Sequence, residues 1–364
     1  MTQYIIIGSG ILGLSVAEYL TRNLISPKEI KIISNENEKS GSYAAAANLA
    51  TKGQLFARDP HFRLKLESKV IYKNWLQSLI KELNASEFQV NKIYNEGKGI
   101  DYFSNSFEMF EHYKRVKQTD VELNKRNLPL TSIQAKNNTI IYENEAWVDG
   151  KKLLLLLRNV LEKRSVNIEK NDFNLSYYKD IIRKSHCKNI IFCVGAWTKP
   201  LLNELQFELP LELAKERLTI GSTFEGEKLF HLNEYSLVEK VSLVTKDKIT
   251  LSGNSFINYI SSSTAKINNL NDIGNNDRLY EKNIKFLNFL QNLFIDFPHN
   301  ISNIKLLKQI DGYRVGFGHS EIVLTELVSK NDNIKKFICA GAHKSGFLFA
   351  PVIGERMQKM LFEK

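Results

Sequence analysis

Tyr4-Ile5-Ile6-Ile7-Gly8-Ser9-Gly10-Ile11-Leu12-Gly13 decides the fold. A short apolar run suited to a buried strand passes directly into Gly-x-Gly-x-x-Gly, and a helical pattern follows. Leu12, Val16, Leu20 and Leu24 recur every four residues, so the helix opened by the glycines has one apolar face to lay on a sheet. The glycines divide the work. Gly8 permits the tight turn, Gly10 lets the backbone approach a diphosphate, and Gly13 lets helix and strand pack closely. Gly8, Ser9, Gly10, Ile11, Leu12 and Gly13 together form the expected diphosphate cradle, at a helix N-terminus whose N–H groups and dipole favour negative charge. Glu29-Ile30-Lys31-Ile32-Ile33 then reads as a second parallel strand and completes a βαβ unit. Where an acidic residue ordinarily binds ribose hydroxyls at the end of that strand, this chain has Ser34 and Asn35, with Glu36 following. Ser34 and Asn35 are the expected ribose contacts.

Two later segments repeat the passage from apolar strand to small residues. Asn189-Ile190-Ile191-Phe192-Cys193-Val194-Gly195-Ala196-Trp197 is one, and Lys335-Lys336-Phe337-Ile338-Cys339-Ala340-Gly341-Ala342-His343-Lys344-Ser345-Gly346 is the other. The second leads into Phe347-Leu348-Phe349-Ala350-Pro351-Val352-Ile353-Gly354, a final helix whose start is placed to meet a second ligand group.

The chain has 364 residues, enough for two domains or one interleaved pair. Apolar residues make up 43% and charged residues 25%, which excludes disordered and fibrous classes. The apolar runs, such as Tyr4 to Ile7 and Leu153 to Leu157, fall well short of the about 20 residues a membrane span requires. The first residues lack the features of a signal peptide, so a cytoplasmic location is expected. The three cysteines, Cys187, Cys193 and Cys339, suit reduced thiols, with Cys193 and Cys339 as small core residues. The net charge of +10 comes from scattered lysines and assigns no partner by itself.

Taken in order, six blocks resemble the FAD-dependent D-amino-acid oxidase superfamily, especially its glycine oxidase and sarcosine oxidase branch. They are the Gly8 to Gly13 turn, Ala44-Ala45-Ala46-Ala47-Asn48-Leu49, Val148-Asp149-Gly150, Val194-Gly195-Ala196-Trp197, Gly312-Tyr313-Arg314, and Gly341 to Gly346 ahead of Ala350-Pro351. The resemblance implies an α/β fold in which a Rossmann-like FAD-binding domain is interleaved with an α+β substrate domain whose sheet is mixed and mostly antiparallel. Residues 1–83, 141–206 and 334–364 would form the first, and 84–140 and 207–333 the second. It implies FAD contacts at Ala47, Asn48, Leu49, Gly195, Trp197, Gly341, Lys344, Ser345, Gly346 and Phe347, with Lys344 near the pyrimidine edge of the flavin. Arg314 matches the arginine that clamps a substrate carboxylate, a task suited to a planar guanidinium, and Tyr313 lies beside it. FAD is expected to be noncovalent, because Cys339 does not match the family's attachment position, and no metal site is expected. Departures stand at Ser34, at Lys215-Glu216-Arg217 where the family has a glycine, and at Ser320-Glu321-Ile322-Val323 after Arg314.

The function this implies is oxidation of the C–N bond of an amino acid or secondary amine carrying a carboxylate, by hydride transfer to flavin N5 to give an imine. Oxygen or another acceptor would take the electrons; the strand Ile249 to Gly253 has no counterpart to the lysine that assists oxygen in sarcosine oxidases. His343 and His319 are weaker candidates for a general base. Two alternatives stay within the fold. Ala47-Asn48, Gly53-Gln54-Leu55 and Gly341 to Gly346 also resemble the oxidase half of a bacterial enzyme modifying the wobble uridine of tRNA, and the departures suit a divergent biosynthetic tailoring flavoenzyme. A non-catalytic flavoprotein, or an NAD-binding module using the same glycines, is the reading from another class.

Elsewhere, periodicity predicts a helix over His61 to Leu83 with Leu66, Val70, Trp75, Leu79 and Leu83 near one face, and another from Asp149 to Lys163 with Asp149 as N-cap. Residues 84–140 read as polar and irregular, and Ser261 to Asn276 as a loop. Val241 to Val244 and Ile249 to Leu251 flank Lys246-Asp247-Lys248 as a hairpin, and Leu279 to Leu293 reads as an amphipathic helix.

Overall fold

A computed structural model describes residues 2–35, 40–45, 47–49, 62–103, 106–125, 133–136, 139–184, 186–213, 216–228, 239–244, 249–254, 257–266, 304–317, 322–328, 333–343 and 345–363. Its first sheet consists of β1 (Tyr4–Ile7), β2 (Ile30–Ser34), β6 (Asn167–Lys170), β7 (Asn189–Phe192), β13 (Val323–Leu327) and β14 (Lys335–Ala340), in the order β13-β14-β7-β1-β2-β6. All neighbours run parallel except β13, which is antiparallel to β14. A parallel strand covered on both faces needs an unbroken apolar run, and Ile5, Ile6 and Ile7 are all buried. The strand period of two then sorts the side chains. Ile6, Ile32, Ile191 and Phe337 join one core cluster, whereas Ile5, Ile7, Ile33, Phe192 and Ile338 join another.

The described helices are α1 (Ile11–Asn23), α2 (Phe62–Leu83), α3 (Val90–Ile93), α4 (Ser106–Lys125), α5 (Gly150–Lys163), α6 (Leu175–Lys184), α7 (Thr198–Glu204) and α8 (Gly346–Phe362). Residues of α1, α2, α5 and α8 share the first cluster with Ile6. The Asp149 side chain caps α5 as expected, accepting from Lys152 N at 3.0 Å. On the other side of the sheet, α6 and α7 supply part of the second cluster. A buried carboxylate ties the helical layer together. Glu18 of α1 accepts from Trp75 Nε1 of α2 at 3.2 Å and pairs at 3.3 Å with Arg164, whose guanidinium also grips Glu82 at 2.6 Å.

The second sheet consists of β3 (Tyr94–Phe103), β4 (Ile133–Lys136), β5 (Thr139–Val148), β8 (Glu216–Lys228), β9 (Glu239–Val244), β10 (Ile249–Asn254), β11 (Ile257–Lys266) and β12 (Ile304–Phe317), in the order β12-β8-β11-β10-β9-β3-β5-β4. Its pairs are antiparallel apart from β3 with β9, so the sheet is mixed and mostly antiparallel. Tyr313, Val315 and Phe317 belong to the second cluster of the parallel sheet, so β12 docks the two sheets together. Position 141, expected to begin an FAD-domain segment, lies inside β5, and position 333 lies between β13 and β14 of the first sheet.

Several local expectations are corrected. Residues 84–140 are not irregular: they include β3, the whole of α4 and β4. Ser261 to Lys266 is strand, because those residues pair along β8, and the rest of that expected loop lies outside the described residues. Val70 is 68% exposed and Leu24 48%, so neither lies on the apolar face assigned to it. In α2 the buried face instead includes Lys65, Ser68 and Tyr72; the Ser68 hydroxyl donates to Leu348 O, and the Tyr72 hydroxyl donates to Phe347 O at 3.0 Å. Partnered polar groups fill a face that an apolar count assigns to Val70. The hairpin of β9 and β10 forms, with Ile249 opposite Leu243, while its turn and the helix expected at Leu279 to Leu293 lie outside the described residues.

Candidate FAD and substrate site

The glycine turn is packed to contact. Gly8 has φ +107, and a Cβ there would stand 2.4 Å from the carbonyl oxygen of Cys193. A Cβ on Gly13 would stand 2.0 Å from the Gly8 carbonyl oxygen. Neither position accepts a side chain, which fixes β1, β7 and the start of α1 against one another. At Gly10 a Cβ would meet Ser42 Oγ at 3.0 Å. That hydroxyl accepts from Ile11 N at 3.0 Å, so it stands at the mouth of α1. The first turn of α1 carries no acidic side chain. The positive end of the helix therefore faces a hydroxyl rather than a carboxylate, which suits a diphosphate. The side chains of Ile11 and Leu12 are buried, so what this turn offers a ligand is backbone.

At the strand end, Ser34 Oγ lies 2.5 Å from Ser9 Oγ, both residues being buried, and Asn35 is exposed beside them. The position ordinarily held by an acid is polar, uncharged and tied to the glycine turn.

Three further segments converge here. A Cβ on Gly346 would lie 3.2 Å from Ile11 Cγ2, which brings the start of α8 against the start of α1. Ser345, just ahead of α8, is buried and donates its N–H to Ala342 O at 2.7 Å. A Cβ on Gly150 would meet the Phe347 ring at 2.9 Å and Ala47 Cβ at 3.1 Å, so the starts of α5 and α8 meet the Ala47-Asn48-Leu49 segment. Ala47 holds φ 47, a conformation that costs a side-chain-bearing residue roughly 1–2 kcal/mol and is held here by pairing on both sides. Val148 N donates to Ala47 O at 3.0 Å and Leu49 N to Ala146 O at 2.9 Å. Gly195, in the turn after β7, has φ +56 and nothing within 4 Å of its would-be Cβ. Gly341 has φ +81 and lies against the Phe317 ring, 2.7 Å from the would-be Cβ. Lys344 and His319 lie outside the described residues.

Arg314 lies within β12, and its guanidinium donates to Ala44 O at 3.3 Å. The side chain keeps a partly exposed edge, while desolvation of the charged end pulls its pKa from the ordinary value down to about 10, so it remains a cation at neutral pH. Tyr313 takes the opposite face of the strand, buried edge-on against Trp197 with ring centroids 5.8 Å apart. The backbone pairing of Ser40 with Tyr313 brings the Ser40 to Ala44 segment along β12. One stretch of chain thus reaches from the arginine to the mouth of α1. His343 donates its N–H to Val315 O at 3.1 Å, which fixes the loop after β14 to the same strand.

The sequence model described as DAO, FAD dependent oxidoreductase, matches residues 3–360. The chain belongs to this family. No curated protein matches the sequence. Among solved structures, glycine oxidase from Geobacillus kaustophilus is similar with a TM-score of 0.74 at 14% identity, covering 100% of this chain and 95% of that one. Iminodiacetate oxidase from Chelativorans sp. BNC1 gives 0.71 at 15% identity, with 100% and 96% covered. L-proline dehydrogenase from P. horikoshii gives 0.72 at 11% identity, with 100% and 93% covered. At such identities the likeness shows the fold, and the family model supplies the class: this is an FAD-dependent oxidoreductase of the DAO family.

Ser42 and Trp147 carry no motif of their own. Ser42 is reached only by asking which side chain meets the first turn of α1, and Trp147 only through the pairing of Asn48 with β5.

Proposed function

We propose that this member of the family oxidises the C–N bond of an amino acid or secondary amine carrying a carboxylate. The observation that carries the reading is Arg314, a partly exposed cation in β12 bonded to the segment that reaches the FAD cradle. The similar structures bear the names of glycine, iminodiacetate and L-proline enzymes, and all three compounds are amines with a carboxylate. Arg314 binds that carboxylate by paired N–H donors and so orients the α-carbon. Gly8 to Gly13 and Ser42 would hold the diphosphate, Ser34 and Asn35 would line the ribose position, and Ser345 with the start of α8 would meet the pyrimidine edge of the flavin. Bound FAD would supply the acceptor for the hydride leaving the α-carbon, giving the imine. We also take the cofactor to be noncovalent: Cys187, Cys193 and Cys339 are buried, and the Cys193 thiol, hydrogen-bonded to Cys339 and desolvated, has its pKa pushed up, away from the thiolate a covalent link requires.

The test is a yellow purified protein whose colour bleaches without oxygen when a small amino acid is added. Arg314→Met should leave flavin content unchanged and raise KM about 100-fold, since truncating one partner of a desolvated charge pair costs about 3 kcal/mol. An unchanged KM removes the arginine from the site.

A further inference from the structure

The second sheet places a buried indole on the same face as Arg314. The register pairs Arg314 with Thr219, Thr223 with Ser262, Ser262 with Thr250, Thr250 with Ser242, and Ser242 with Asp101. Thr219 to Thr223 and Asp101 to Asn95 are even steps along their strands, the register shift at Gly97 to Gly99 putting its extra residue on β5 between Tyr142 and Glu145 so that β3 keeps its alternation, and Asn95 pairs with Trp147, which pairs with Asn48. Paired residues and even steps keep to one side of a sheet, so positions 314, 95, 147 and 48 share a face. The neighbouring rows agree: Tyr94, Ala146 and Val148 lie in one apolar core cluster and Tyr313 in the other, all on the opposite face.

Six strand-to-strand steps separate β12 from β5 in that sheet, yet one segment joins them. Ala44 O accepts from Arg314, and Asn48 pairs with Trp147. The four-residue step from Ala44 to Asn48 spans at most about 14 Å of chain. The sheet must curl to bring its two ends that close. The row Asn48-Trp147-Asn95 is thereby carried toward the end of the sheet that holds Arg314. Trp147 is 3% exposed, and its Nε1 finds no hydrogen-bond partner among the described residues. A buried indole N–H left unmade costs free energy, so a donor kept in such a place points to an acceptor supplied from outside the chain.

We propose that Trp147 is a second polar contact of the site, its indole N–H donating to an acceptor oxygen of the bound ligand. This rests on the amine-oxidising reading above. The acceptor is a carbonyl or carboxylate oxygen, either of the flavin ring or of the substrate beyond the carboxylate taken by Arg314. A substrate source makes the enzyme selective for amines with a second oxygen acceptor.

Trp147→Phe keeps a smaller aromatic ring and removes the donor. FAD affinity is read from the quenching of flavin fluorescence, and glycine and iminodiacetate binding from perturbation of the flavin spectrum. One net hydrogen bond to a carbonyl or carboxylate corresponds to an effect of about tenfold. A loss of that size in FAD affinity assigns the oxygen to the flavin. A loss for iminodiacetate with glycine unchanged assigns it to the substrate. FAD, glycine and iminodiacetate all bound within twofold of the unsubstituted protein would overturn the inference while leaving the proposed function standing. An unsubstituted protein that takes up no FAD overturns both. Should Trp147→Phe fail to fold, 15N-tryptophan labelling of the unsubstituted protein gives the answer, the Trp75 and Trp197 resonances being assigned from Trp75→Phe and Trp197→Phe and the third being that of Trp147. An indole resonance that moves downfield and gains exchange protection with FAD or iminodiacetate supports the contact, and resonances indifferent to both sink it.

Discussion

The parallel sheet and the curled sheet build their halves of the site by different means. In the first, the glycine turn is built from one short stretch: β1, the turn and α1 follow one another, and a Cβ on Gly13 would meet the Gly8 carbonyl, although β7 closes against the same turn from far along the chain. In the second, Arg314 meets Ala44 across 270 residues, and Trp147 meets Asn48 only because β5 finds that segment. On the proposed reading, the diphosphate turn is therefore written locally and in backbone terms, while the surroundings of Arg314 are assembled by long-range strand pairing. The same cofactor half can then serve many substrates, because the pairing that places the specificity residues varies separately.

Substitutions can break that comparison. The largest effect is expected at Gly13→Ala, whose Cβ would stand 2.0 Å from the Gly8 carbonyl oxygen and 3.3 Å from Cys193 Cβ. A loss of about 3 kcal/mol or more is expected, seen as a lowered Tm and a colourless protein. A yellow protein of ordinary Tm would show that the turn is looser than its contacts indicate. Gly312→Ala strikes the seam instead. Its Cβ would lie 2.6 Å from Ala44 Cβ and 2.7 Å from Ser40 O, so the segment beside Arg314 must shift. A cost of about 1–3 kcal/mol is expected, with KM raised more than flavin affinity falls. Equal losses of both would mean that the two halves are not separable in this way.

The smallest effect concerns the far edge of the parallel sheet. Lys31 Nζ lies 2.5 Å from Glu169, and the Tyr177 hydroxyl donates to the same carboxylate at 2.6 Å. With a further hydrogen bond from Asn171, these hold its pKa down at about 2. A depressed carboxylate pKa stabilises the fold above the unfolded value of about 4.3, and the contribution fades as pH falls from there toward 2. Glu169→Gln should lower stability by less than about 1 kcal/mol at pH 6, because the group is half-exposed, and the gap should close at acid pH. A gap that widens on acidification would reverse the sign assigned to this carboxylate.

The legible parts share a physical character. Tyr4 to Ile7, Asn189 to Phe192 and Lys335 to Ala340 are apolar runs that parallel strands demand, and Asp149 announces its cap. The illegible parts depend on distant partners. Val70 looked like core because it is apolar, but Lys65, Ser68 and Tyr72 take the buried face, the last two by hydrogen-bonding carbonyls of α8. Ser261 to Lys266 looked like a loop because Ser is common in loops, yet β8 offers it a ladder.

The sequence by itself determined the glycine turn, its strands and its helix, because those depend on backbone freedom at Gly8 and Gly13 and on local apolar period, whereas Arg314 was reached only through the family resemblance. Only the tertiary structure decided that Ser42 stands at the mouth of α1, that Arg314 and Tyr313 part to opposite faces, and that Trp147 joins the arginine's side. Those outcomes follow from strand register and sheet curvature, which no single stretch of chain encodes, because each requires two segments far apart in sequence to choose one another.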